Sequence, residues 1–210
     1  MDFTTKHRTW DEIRSIVEDF RNLHVKPPDE LPVDMEKIIE HELRIDFDLR
    51  PNLLSDADID AFLSPDGKTM FVDQNQYMDE RYSNRLRFTF AHEIGHFILH
   101  IEEIQLLNFK NIEDWIDFQT QFPDENRRWF ERQADEFAGR LLVPKNILTK
   151  EIQKYEEKIN EYLKLSNNDN LDFLARHVGS KICSIFGVSE TVLYHRICKE
   201  KIFEELNYIP

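Results

Sequence analysis

Apolar residues recur three and four apart at Trp10, Ile13, Ile16, Val17, Phe20 and Leu23, which predicts one amphipathic packing helix. Pro27, Pro28 and Pro32 break the chain after it, and Asp34 stands where it can cap a second helix through Met35, Ile38, Ile39 and Leu43. The period then changes to two. Ile45, Phe47 and Leu49 alternate with Asp46, Asp48 and Arg50, the pattern of a half-buried strand. Two further short strands, Asp60 to Ser64 and Thr69 to Asp73, flank Pro65-Asp66-Gly67, whose Asp-Gly step favours a hairpin turn. The first half of the chain is therefore expected to be helices followed by a small, mostly antiparallel sheet.

Helical spacing returns from about Arg85 to His100, with Ser83 or Asn84 as N-cap and Leu86, Phe90, Ile94, Phe97 and Ile101 or Ile98 on the inward stripe. Glu102 to Arg128 is irregular and acidic, with Trp115, Phe118 and Phe122 among polar residues, and reads as a partly helical excursion. A second strong helix covers about Arg128 to Val143 and is stopped by Pro144. Another covers about Ile147 to Leu165, with Leu148, Ile152, Tyr155, Ile159 and Tyr162 on one face. Ser166-Asn167-Asn168-Asp169-Asn170 reads as a linker, and Leu171 to Leu206 as two or three short helices. The class is α+β, divided into an N-terminal helix and linker (1–30), a central domain (31–146) and a C-terminal helical subdomain (147–210).

Composition agrees with a folded, helix-rich protein: 40% hydrophobic and 32% charged residues, with 5 Gly and 8 Pro in 210 positions. No apolar stretch reaches membrane-spanning length, and Met1 to Lys6 lack the apolar core of a secretory signal, so the expected setting is cytoplasmic. Cys183 and Cys198 are expected to be buried thiols in a reducing compartment. A net charge of −14 argues against general affinity for nucleic acid or anionic membranes. It leaves room for a basic partner or a local basic patch.

The chemistry is concentrated at His92-Glu93-Ile94-Gly95-His96, an H-E-x-x-H motif inside the predicted helix. Residues four apart share a helix face, so both imidazoles can reach one ion while Glu93 stands beside it, placed to take a proton from bound water. A catalytic zinc site needs a third protein ligand and an open fourth position. Glu131, on the second strong helix, is the candidate, and Asp135 lies four residues further along the same face. There it can accept a ring N–H from a metal-bound histidine. His7, His24, His41, His177 and His195 lack ligand-like spacing.

Arg87-Phe88-Thr89-Phe90-Ala91-His92-Glu93-Ile94-Gly95-His96-Phe97-Ile98-Leu99-His100, taken with Glu131-Arg132-Gln133-Ala134-Asp135-Glu136-Phe137-Ala138-Gly139-Arg140-Leu141-Leu142-Val143-Pro144, resembles the paired signature of the ImmA/IrrE family of metallopeptidases. A looser resemblance covers about Leu31 to Pro144. It implies a minimal zincin-like fold of the gluzincin type, Zn²⁺ as cofactor, Glu131 as third ligand and Asp135 as its outer companion. It also implies a partner: family members that act as regulators cleave a helix-turn-helix transcriptional repressor. The long interval Glu102 to Arg128 departs from the shorter family pattern.

Other roles follow from position. Tyr77, Tyr82 and His100 are the candidates for hydrogen-bonding a tetrahedral intermediate. Thr69, Met70, Phe71, Val72 and Asp73 are expected to form a sheet edge to which an extended substrate adds. Cys183 to Val192 resembles the turn and second helix of a helix-turn-helix, but Glu190 stands where a base-reading helix would want basic or amide groups. The competing function is a DNA-binding or repressor-binding regulator whose zinc site is structural or vestigial. Glu93 speaks against that, because a structural site has no use for it.

Overall fold

The computed structural model describes residues 6–106, 113–114, 117–118, 124–165 and 171–208. Met1 to Thr5, Trp115, Phe122 and the expected linker Ser166 to Asn170 lie outside the described residues. Helix α1 spans Trp10–His24 and begins at a capping box: the Thr9 hydroxyl accepts from Glu12 N–H at 3.2 Å and the Glu12 carboxylate accepts from Thr9 N–H at 2.6 Å. Ile13, Val17 and Phe20 form its buried stripe, whereas Trp10 and Leu23 are exposed. The short α2 (Met35–Lys37), capped by Asp34, runs on into a π-helical turn at Ile38–Glu42.

The sheet has the order β1 (Asp46–Arg50), β3 (Thr69–Asp73), β2 (Ala61–Leu63). After β1 the chain passes through α3 (Leu53–Ala57), lays β2 down on the far side and returns through the hairpin to put β3 between them. Gly67 takes φ +72° in that hairpin, and a Cβ there would lie 2.7 Å from the Phe97 ring, so both backbone and neighbour require glycine. β1 and β3 are parallel, from Asp46↔Thr69 to Arg50↔Asp73, and β2 and β3 are antiparallel. The sheet is thus mixed, where alternation alone suggested mostly antiparallel pairing.

One expectation is overturned by this order. Thr69, Met70, Phe71, Val72 and Asp73 are the central strand, with both sides already hydrogen-bonded, so they offer no edge to a substrate. Periodicity identifies a strand but carries no information on its neighbours. The edge strand on this side is β2. Asp73 N–H bonds Asp60 O and Ser64 N–H bonds Thr69 O, both at 2.8 Å, so the backbone groups of Ala61 and Leu63, in the alternate register, point away from β3.

After α4 (Gln74–Tyr77), helix α5 (Ser83–Leu106) packs against helix α6 (Asp124–Leu142). The contact is very close. A Cβ on Gly95 would sit 3.1 Å from the Cα and O of Ala134 and 3.2 Å from Phe137 Cβ. The other side of α6 is covered by α1, with the Phe20 and Phe137 rings edge to face at 5.4 Å and Arg21 Nη1 donating to Leu141 O at 2.6 Å. The helix expected over 147–165 is divided into α7 (Lys145–Gln153) and α8 (Glu156–Leu165).

Helices α9 (Leu171–Phe186), α10 (Glu190–Lys199) and α11 (Ile202–Glu205) complete the chain. The turn between α9 and α10 is docked on α5 by Arg87 Nη1, which donates to Gly187 O at 2.7 Å. Leu193 and Ile197 are buried, while Glu190, Thr191 and His195 face outward. Cys183 and Cys198 are free thiols, the second of them exposed. No helix among the described residues is long and apolar enough to cross a membrane.

Helix α10 is joined to α6 by a buried ionic network. Glu136 meets Arg140 at 2.6 Å, Lys199 at 2.8 Å and Arg196 at 3.3 Å, and Glu200 meets Arg196 and Arg140 at 2.6 and 2.9 Å. Burial raises the Glu136 carboxyl, but the hydrogen bond from Lys199 and the charges of Arg196 and Arg140 outweigh it and hold the group below the usual glutamate range. Glu136→Gln leaves these cations under-compensated and should lower stability by roughly 3 kcal/mol. Because the folded-state pKa is depressed, that contribution is complete above the unfolded value of about 4.3 and fades as pH falls through the folded one. Urea midpoints of parent and variant should therefore differ at pH 7 and converge on acidification below about pH 4.

Candidate metal centre

His92 and His96 project from one face of α5, one helical turn apart, and their Nε2 atoms approach to 3.0 Å. Glu131, on the facing helix α6, places Oε2 at 3.1 Å from His92 Nε2 and 3.7 Å from His96 Nε2. These are the ligand atoms the sequence proposed, and the structure brings them together. A tetrahedral ion bonded at about 2.0–2.1 Å holds its ligand atoms about 3.3–3.4 Å apart. The three observed separations bracket that edge.

Hydrogen bonding on the outer side of each ring explains why the inner side is an acceptor. Asp135 Oδ1 lies 3.0 Å from His92 Nδ1, and a carboxylate only accepts, so that nitrogen carries the proton and Nε2 presents its lone pair. His96 Nδ1 lies 3.0 Å from His100 Nδ1, which gives the same orientation if His96 donates. His100 is fully buried, and burial followed by the charge of His96 depresses it to about 2, so it stays neutral and can accept. Two imidazole lone pairs and a carboxylate oxygen then converge with no donor among them. Such a group could hold a metal ion.

The electrostatics agree. Burial alone would lower His92, but its bonds to Asp135 and Glu131 raise it to about 10, so without an ion the Nε2 position takes a proton, and a metal ion would bind there by displacing it. Burial raises Glu131, but His92 and His96 outweigh it and hold the carboxyl well below the usual range. The Phe130 ring stacks on His96 at 4.2 Å and packs on His100 at 4.3 Å, closing the apolar side of the group. Sequence reasoning did not single out Phe130, although its place next to Glu131 puts it on the same stretch of helix.

Glu93 lies beside these ligands and outside the set. It is 9% exposed, burial raises its carboxyl, and Oε2 accepts the outward N–H of Leu63 on β2 at 3.0 Å. This link between the motif and the edge strand has no signature in the sequence, because the donor is a backbone group.

The three oxyanion candidates are placed elsewhere. The Tyr77 hydroxyl donates to Glu36 at 3.1 Å, and burial together with Glu36 raises it to about 12. Tyr82 lies in the turn before α5, ten residues ahead of His92, and packs on the core. His100 meets the outer nitrogen of His96, on the side of that ring away from the ligand atoms.

No curated protein matches the chain. Residues 45–197 match the IrrE N-terminal-like domain of the peptidase M78 family. The matched stretch begins just before β1, takes in the sheet, both metal-facing helices and most of α10, and amounts to well over half of the chain. The likeness carried by Arg87 to His100 and Glu131 to Pro144 therefore extends to the domain as a whole, and the chain belongs to the peptidase M78 family, a family of metallopeptidases.

Proposed function

We propose that this chain is a zinc-dependent endopeptidase that cuts a partner helix-turn-helix repressor and so releases the genes it controls. The observation that carries the reading is the convergence of His92, His96 and Glu131 on one point with the buried Glu93 carboxylate alongside. When bound, zinc supplies Lewis acidity, acidifying a water molecule and polarising a peptide carbonyl. Glu93 takes the proton of that water and delivers it to the leaving amine, a task suited to a carboxyl raised by burial. Asp135 and His100 hold the two rings in the tautomer that keeps both Nε2 atoms free for the ion.

The substrate lies along the outer side of β2, where the backbone groups of Ala61 and the Leu63 carbonyl are directed away from β3, the Leu63 N–H being already taken by Glu93. An extended segment of the repressor pairs there and presents its scissile carbonyl to the centre. The target is protein and not DNA: the chain carries −14, and the outward side of α10 offers Glu190, Thr191 and His195. The same reading keeps the protein in the cytoplasm, where such repressors work.

The test is to incubate the zinc-loaded chain with the helix-turn-helix repressor encoded nearest its gene. Two defined fragments should appear, vanish with a chelator and return with added zinc. Loss of repressor activity with the polypeptide still intact would show instead a regulator that binds without cutting.

A further inference from the structure

On the opposite side of α6 from its partner helix α5, a cavity of about 720 Å³ opens where α1, α6, α7 and α10 meet. Arg14, Arg21, Arg140, Lys145, Lys150 and Arg196 line it, against only Glu18 and Glu205. In a chain of net charge −14 this concentration runs against the overall balance. It is also incompletely neutralised. Arg140 and Arg196 share Glu136 and Glu200, and Lys145 meets Glu205 at 2.5 Å and Glu200 at 3.7 Å.

The other cations have weak compensation. Arg21 is 7% exposed, and its guanidinium donates to three backbone carbonyls, those of Pro28, Leu141 and Glu30; no carboxylate among the described residues is in contact with it, and the charges of Asp29 and Glu30 offset its burial only in part. Arg14 has only an exposed pair with Asp11 at 3.4 Å, and Lys150 has no ion pair among the described residues. Arg196, although paired with both glutamates, is 3% exposed and keeps its Nε without a hydrogen bond. Burying a guanidinium without a counter-charge is costly, and an anion in the cavity would offset that cost.

The backbone adds to the same field. Helix α7 starts at Lys145 after Pro144 with no side chain capping it, and Lys145 and Asn146 line the cavity, so the positive end of this helix lies at its wall. Val17, Pro28 and Pro144 give the remaining wall an apolar character. The volume falls within the roughly 300–1,000 Å³ typical of small-molecule sites.

We infer that this cavity is a binding site for a small polyanion, a phosphorylated or polycarboxylate metabolite, separate from the metal centre. Cationic side chains from four elements, α1, α6, α7 and α10, line one space, which suits a compact multi-oxygen anion better than an extended acidic chain. Arg140 belongs to the helix that carries Glu131 and Asp135, so the ligand would press on the same element that completes the metal group.

Calorimetric titration of the full chain at low salt, with pyrophosphate and separately with citrate, tests this. At least one should bind one to one, and a preference between them assigns the phosphate or the carboxylate class. Arg14→Glu with Lys150→Glu, both at exposed positions, should weaken binding about tenfold or more while leaving the urea midpoint unchanged. Arg14→Lys with Lys150→Arg should retain it. Glu131→Gln should bind the anion like the parent, since the site is not the metal centre. The inference is overturned if neither anion binds, if charge reversal leaves affinity intact, or if Glu131→Gln alone abolishes binding.

Discussion

Glu93→Gln should keep one zinc ion per chain and slow peptide cleavage by about a thousandfold. The metal is retained because His92, His96 and Glu131 already supply three ligand atoms without residue 93. Folding should be retained as well. A glutamine at this position has the same length, and its amide oxygen can still accept the Leu63 N–H that Glu93 accepts at 3.0 Å. What disappears is a group able to bind and release a proton next to the reacting carbonyl. Metal content by atomic absorption and single-turnover cleavage of the repressor would check both halves; parental cleavage by the variant would remove Glu93 from its role.

Gly95→Val should cost the centre its metal although residue 95 touches none of the ligands' coordinating atoms. A Cβ at this point lies 3.1 Å from Ala134 backbone atoms, and a backbone cannot swing aside as a long side chain can. The two branches of valine lengthen the collision, so α5 and α6 must part. Glu131 is one turn from Ala134 on α6, and its distances of 3.1 and 3.7 Å to the imidazoles would widen by as much as the helices move. Metal–ligand bonds tolerate about 0.2 Å. The expected result is at least a hundredfold loss of zinc affinity in competition with a chromophoric chelator, with some 1–3 kcal/mol of lost stability. Gly95→Ala should fall between parent and valine variant, and parental affinity in both would refute the steric account.

The amphipathic helices were legible in the sequence because a 3.6-residue period survives any packing arrangement, and Leu86, Phe90 and Ile94 are buried as the spacing implied. The ligand trio was legible for a similar reason: a turn of helix fixes His92 against His96, and Glu131 with Asp135 repeats that geometry on a second helix. Strand order was not legible. Whether Thr69 to Asp73 lies at the edge or the middle depends on where Asp46 to Arg50 returns, a long-range choice that local alternation does not encode. Tyr77 stands in sequence between a strand and the helix of the motif, and His100 shares a helix face with His96, but a hydroxyl claimed by Glu36 and a ring claimed by His96 are decided by rotamer and partner. The cationic cavity was hidden because its residues are scattered from Arg14 to Arg196 in an acidic chain, so no window of sequence shows a basic run.

The shared segment begins at residue 45, and α1 lies wholly before it. Yet Ile13, Val17 and Phe20 roof the rear of α6, and Arg21 ties down the carbonyl of Leu141. The unit of kinship and the unit of folding therefore have different borders in this protein. A shortened gene product starting where the kinship starts would leave Phe137 and its neighbours open to water, a greasy scar that invites clumping long before chemistry is at stake.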